Sequence, residues 1–159
     1  MTPLPHPAEI LLVEDNPADI LITREAFADF KLGNTLHVVE DGEAAMAFLR
    51  REGQYARAPR PDLILLDLNL PRKNGREVLT DIKDDPALQE IPVVVLTTSN
   101  SEEDVHHAYG NHANCYIVKP VGFQNFSRAI REIHNFWFQI AALPSETAYG
   151  EDNHQNPAD

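Results

Sequence analysis

Five short apolar runs punctuate the chain: Ile10–Val13, Leu36–Val39, Leu63–Leu66, Val93–Leu96 and Cys115–Val118. Each is too short for a helix, and the first, third and fourth carry no polar residue at all. That is how strands buried on both faces of a parallel sheet read. Between the runs the apolar residues fall at helical spacing. Ile20, Phe27 and Phe30 mark a first helix that starts at Asn16-Pro17 and runs to about Phe30, stopped by Gly33-Asn34. Ala45, Phe48 and Leu49 mark a second, from Gly42 to about Arg51, and Val78, Leu79 and Ile82 a third, from Gly75 to Lys83. Ser101 followed by Glu102-Glu103-Asp104 is the start signal of a fourth, with acids placed to suit the helix dipole. The last helix is expected from about Phe123 to Ala142. Residues 53–61, with two prolines, read as a loop.

Strands alternating with helices predict an α/β fold with a parallel sheet covered on both faces. Right-handed crossovers leave few topologies, and the flavodoxin-like (βα)5 three-layer sandwich, strand order 2-1-3-4-5, is the common one at this size. The domain organisation expected is a lead over residues 1–8, one folded unit over 9–143, and a polar, disordered tail over 144–159.

Composition narrows the function. The 159 residues carry a formal net charge of -12, which argues against a general role on nucleic acid or an anionic membrane. No apolar run approaches the roughly 20 residues of a membrane span. One cysteine, Cys115, cannot form an internal disulfide and reads as a core thiol, and the N-terminus lacks the features of a signal peptide, so a cytoplasmic setting is expected.

The chemistry sits where the strands end. Run one ends in Glu14-Asp15, run three in Asp67, run four in Thr97 and run five in Lys119-Pro120. In the proposed strand order these ends are neighbours, on the edge of an open α/β sheet where ligands bind. Three carboxylates drawn together call for a cation, and hard oxygen donors suit Mg²⁺. Such an ion also neutralises an approaching phosphoryl group. Lys119 offers a mobile positive charge, Thr97 a hydroxyl, and Asp67 a carboxylate of the kind that accepts phosphoryl groups. Each element alone has a commonplace reading as a turn or strand residue. Their occurrence together at four strand ends is the specific signal.

The stretches Ile10–Asn16, Asp62–Pro71 with Gly75, Ile91–Ser99 and Tyr116–Pro120 resemble the receiver domain of bacterial response regulators. The resemblance covers about residues 8–142. It implies that Asp67 accepts a phosphoryl group from a sensor histidine kinase. It implies Mg²⁺ ligation by Asp15, Asp67 and the Asn69 backbone carbonyl, with Glu14 acting through water. It makes Thr97 the switch hydroxyl, Tyr116 an aromatic that turns inward with it, Lys119 a phosphoryl ligand, and Pro120 the residue after a cis peptide bond. Glu14 stands where the family commonly has Asp, and Thr98 where a smaller residue is commoner, which would slow access to the site.

With no output domain in view after the last helix, output is expected through another molecule or self-association. Phe126, Ile130, Ile133, Trp137 and Ile140 recur at alternating spacings of four and three, while Phe123, Phe136 and Phe138 lie off that stripe. One face must pack on the sheet. A second apolar face predicts a homodimer through this helix, with Phe126, Ile133, Phe136, Trp137 and Ile140 as interface candidates. The segments Val39–Leu49, Leu96–Ser99 and Asn135–Phe138 look like those of single-domain regulators that partner bacterial and cyanobacterial phytochromes, which implies a bacteriophytochrome-type kinase as phosphodonor. Two other readings stay open at this point: a Mg²⁺ phosphatase with an aspartyl nucleophile, and an unphosphorylated scaffold. The phosphatase reading suffers from Asn69, which stands where such enzymes carry an acid/base. His106, His107 and His112 are not expected to bind metal, because adjacent helical residues point apart.

Overall fold

The computed structural model describes residues 7–28 and 34–140, the side chains of 139 and 140 excepted. Residues 1–6 of the expected lead, the tail, and the end of the first helix at Phe30 lie outside the described residues. Five strands, β1 (Glu9–Val13), β2 (Thr35–Val39), β3 (Leu63–Leu66), β4 (Val93–Thr97) and β5 (Cys115–Val118), alternate with α1 (Pro17–Ala28), α2 (Gly42–Arg50), α3 (Gly75–Asp84), α4 (Glu102–Gly110) and α5 (Phe123–Asn135). The sheet order is β2-β1-β3-β4-β5 and every pairing is parallel, as the patterning predicts. Among the described residues no helix is long and apolar enough to cross a membrane.

Strand side chains alternate between faces, so each run feeds two cores. Leu11, Ile64, Leu66, Val93 and Val95 point to one side and pack with Phe48 of α2, Leu79 and Ile82 of α3 and Ala108 of α4. Ile10, Leu12, Leu63, Leu65, Val94 and Leu96 point to the other, against Phe27 of α1 and Phe126, Ile130 and Ile133 of α5. All four residues of β3 are fully buried, which is why that run carries no polar residue.

Four of the five helix starts are set by short polar side chains, the exception being α5, which follows Gly122. Asn16 Oδ1 accepts from the N–H groups of Ala18 and Asp19 at the head of α1. Asp41, Asn74 and Ser101 do the same for α2, α3 and α4.

Three expectations are corrected. The connection from residue 53 to 61 holds a 3₁₀ turn, Gly53–Tyr55, whose tyrosine packs against Phe48 with ring centres 5.5 Å apart. The last helix does not continue as a regular α-helix: after Asn135 it widens into a π-helical turn, Phe136–Ile140. The stripe on α5 is core rather than interface. Phe126 and Ile133 are 4% and 6% exposed because their faces of the helix lie on the sheet, so neither is open to a second chain. Trp137 is half-buried against the same core, Phe136 is 51% exposed, and the side chain of Ile140 lies outside the described residues.

Candidate functional site

The parallel sheet ends its strands on one edge, and β1, β3, β4 and β5 bring their terminal residues together there. Asp67 follows β3, and its N–H continues the ladder to the Val13 carbonyl at 3.0 Å. The residue is 6% exposed, and both of its carboxylate oxygens are engaged. Oδ1 accepts from the Thr97 hydroxyl at 2.7 Å and from the Asn69 N–H at 3.0 Å; Oδ2 accepts from Lys119 Nζ at 2.9 Å. Burial alone would raise the Asp67 pKa, but the Lys119 ammonium, the Asn69 N–H and the Thr97 hydroxyl outweigh it, and the carboxyl is held below its ordinary value. Asp67 is therefore an ionised carboxylate at neutral pH, the form a nucleophile needs.

The backbone path through Asp67 and Leu68 depends on Gly75. A Cβ there would lie 2.2 Å from the Asp67 carbonyl oxygen and 2.6 Å from Leu68 Cα. The Gly75 N–H donates to the Leu68 carbonyl at 3.0 Å, closing the loop that carries Asn69. Glycine is demanded by close backbone approach, not merely as a helix start.

Lys119 reaches into the site from the end of β5. Its Nζ donates to Glu14, to Asp19 Oδ2 at 2.8 Å and to Asp67 Oδ2 at 2.9 Å, which uses all three ammonium hydrogens. Burial would lower the lysine pKa, but the hydrogen bonds to Asp19, Glu14 and Asp67 raise it instead. The peptide bond to Pro120 is trans, which corrects the expected cis bond, since the described residues contain none. The trans form is the favoured one at X-Pro by about 0.5–1 kcal/mol. Here the Lys119 N–H bonds the Thr97 carbonyl at 2.7 Å, so the β4–β5 ladder itself aims the side chain.

Glu14 is buried, and its Oε2 accepts from the N–H groups of Asp15 and Asn16 at 3.1 and 3.2 Å. Burial, together with the charge of Asp67 and against the pull of Lys119, pushes its pKa up to about 7. Asp15 is exposed. Ligand oxygens of Glu14, Asp15 and Asp67 all lie within 4.8 Å of one another. With Asp19 that makes four carboxylates around one ammonium. The donor set is all oxygen and carries more carboxylates than the single ammonium balances, so it fits a hard divalent cation.

Behind the site, Tyr116 donates its hydroxyl to the Ser99 carbonyl at 2.8 Å and lies half-buried against the core. Ser99 Oγ donates to Asp104 Oδ2 at 2.5 Å. Of the switch candidates, Thr97 meets Asp67 directly, while Tyr116 reaches the loop after β4 at Ser99. Residues that sequence reasoning did not single out are Asp19, which reads as a helix-dipole acid, and the Arg76–Asp104 pair, whose partners stand 28 positions apart. His106, His107 and His112 belong to no metal-binding group among the described residues.

Comparison with known proteins agrees with this geometry. A model of the response regulator receiver domain matches residues 10–131. Response regulator Rcp1 of Synechocystis sp. is 48% identical over 139 residues, covering 87% of this chain and 95% of that protein. The phosphorylated cyanobacterial phytochrome response regulator RcpA superposes with a TM-score of 0.86 at 52% identity, over 87% of this chain and 99% of that one. The Mn²⁺-bound form of Rcp1 does so with a TM-score of 0.85 at 47% identity, over 87% and 100%. With its strand order, its acidic edge and these matches, the chain belongs to the family of response regulator receiver domains, signalling proteins that accept a phosphoryl group on an aspartate.

Proposed function

We propose that Asp67 is the phosphoryl acceptor of a stand-alone response regulator whose phosphodonor is a sensor histidine kinase of the phytochrome type. The observation that carries this reading is the Asp67 carboxylate itself: ionised, buried at a strand end, and bracketed by the Thr97 hydroxyl and the Lys119 ammonium. An Asp67 oxygen attacks the phosphorus of the donor's phosphohistidine. The P–N bond breaks as the P–O bond forms, and the leaving imidazole keeps the electron pair and takes a proton. Lys119 and Thr97 then stand where charge grows on the phosphoryl oxygens. Glu14, Asp15, Asp67 and the Asn69 carbonyl would hold Mg²⁺, whose chemistry there is charge neutralisation. The phytochrome assignment is supported by the relatives named above, and the metal by the Mn²⁺-bound form of Rcp1. The protein assists its own phosphorylation and dephosphorylation but has no other substrate in this reading. It acts in the cytoplasm, in keeping with its single cysteine.

The state change runs through Thr97 and Tyr116, and the output is a homodimer through the outer side of α5. Phe136 is 51% exposed, and Trp137 lies with its ring centre 5.3 Å from that of Phe136. The test is phosphorylation by a phytochrome-type kinase with mass-spectrometric mapping. Label on Asp67, lost in Asp67→Asn, is the expected result; label that survives this substitution would exclude Asp67 as acceptor. Sedimentation velocity of the Phe136→Asp variant tests the dimer, which should dissociate.

A further inference from the structure

The role of Asp19 follows from what Lys119 must do during the reaction proposed above, and the inference rests on that reading. All three hydrogens of the ammonium are committed: to Glu14, Asp67 and Asp19. The first two partners are also the carboxylates a divalent cation would claim, and Asp67 is the oxygen a phosphoryl group would modify. Lys119 competes with the cation for both. Asp19 is the partner that neither event consumes. It stands in the first turn of α1, 21% exposed at its side chain, whereas Glu14 and Asp67 are 4% and 7% exposed. It is thus the most outlying of the three.

The backbone of Asp19 is tied at both its N–H and its carbonyl. Its N–H donates to the Asn16 side chain at 3.2 Å, and its carbonyl accepts from the buried Thr23 hydroxyl at 2.8 Å. A group fixed through its own backbone can hold a flexible four-carbon side chain in place. We infer that Asp19 is a positioning residue: it retains the Lys119 ammonium on the α1 side of the pocket while Glu14 and Asp67 are handed over to the cation, and keeps it poised for the phosphoryl oxygen. An ordinary first-turn acid complementing the helix dipole would do neither.

The consequence is measurable without any phosphodonor. Calorimetric titration with Mn²⁺ should show Asp19→Asn binding about fivefold more weakly than wild type, since Lys119 then presses harder on the remaining two carboxylates. Asp19→Glu should recover most of that loss. In a Lys119→Met background the same Asp19→Asn change should cost less than about twofold, the residue of a screened, longer-range charge. Equal Mn²⁺ affinity in wild type and Asp19→Asn would overturn the inference, and so would an equal loss in both backgrounds. Failure of the wild-type protein to bind Mn²⁺ at all would instead overturn the metal site, and this inference with it. A second readout needs no lysine variant. At saturating Mn²⁺, phosphorylation by phosphoramidate should slow several-fold in Asp19→Asn and return in Asp19→Glu; an unchanged rate would likewise overturn the role.

Discussion

Arg76 of α3 and Asp104 of α4 meet as a fork on a fork, Nε to Oδ1 at 2.6 Å and Nη2 to Oδ2 at 2.7 Å. The pair joins the two helices that follow the Asp67 and Thr97 loops. The same carboxylate takes the Ser99 hydroxyl, and the Ser99 carbonyl takes the Tyr116 hydroxyl. One carboxylate thus ties α3, α4, the loop after Thr97 and β5 into a single unit. The Arg76 and Ser99 hydrogen bonds hold the Asp104 carboxyl well below the usual carboxylate range.

Arg76→Ala should therefore do more than remove a surface charge. A third of the arginine side chain is exposed, which discounts the pair toward surface values. A bidentate charged pair with one well-covered partner still supports a loss of about 1–2 kcal/mol. Urea unfolding measures it. The same variant should show faster amide exchange at the start of α4, and no change there would separate the fork from the Ser99–Tyr116 unit.

Gly75→Ala should damage the site through the backbone. A Cβ placed 2.2 Å from the Asp67 carbonyl oxygen has no flexible side chain to push aside. The cost should be about 1–3 kcal/mol, as for other overpacked positions. Phosphorylation of the folded fraction should fall with it, because the Asp67–Asn69 loop must shift. A thermal melt and a phosphorylation time course on the same sample check both.

Thr97→Ala removes a fully buried hydroxyl from Asp67 Oδ1. The carboxylate keeps Asn69 and Lys119, so the loss in stability should be modest, about 1–2 kcal/mol. Thr97→Ser, which keeps the hydroxyl, should retain the phosphorylated conformation that Thr97→Ala lacks. The Tyr116 ring signals in an NMR spectrum with and without beryllofluoride are the readout.

His134 gives the pH prediction. The ring is fully buried on α5, 5.6 Å from Phe27 and 5.2 Å from Phe138 between ring centres, and Nε2 meets the Asn34 side chain. Burial holds its pKa down at about 4 against an ordinary 6.5. A depressed histidine contributes stability above its unfolded pKa, and this is lost as pH falls from 6.5 through 4, at up to about 1.4 kcal/mol per unit. Glu14 acts the other way, since its pKa is raised to about 7 and the folded state gains as that carboxyl protonates. The test is consequently a difference. Between pH 6.5 and 4.5 wild type should lose stability relative to His134→Leu, in denaturation curves taken in parallel. Parallel curves with no divergence would show that the ring titrates normally.

Much of this molecule can be read from its chain because burial on both sheet faces leaves an unmistakable run of apolar residues. Leu63–Leu66 could only be an inner strand, and Glu14, Asp67, Thr97 and Lys119 at the ends of such strands had to converge once the order was right. Local chemistry was equally plain at Asn16 and Ser101, whose side chains cap the backbone N–H groups of their own helices. Partners remote in sequence could not be read in this way. Asp19 lies 100 positions from Lys119 and Arg76 lies 28 from Asp104, and no spacing rule links residues across separate helices and strands. Nor could periodicity choose between two apolar faces of α5. The packing of Phe126 and Ile133 on the sheet decided that, and left Phe136 facing solvent. Sequence alone determined the strands, their ends and the caps, since these depend on neighbours along the chain; the tertiary structure decided who meets whom across it.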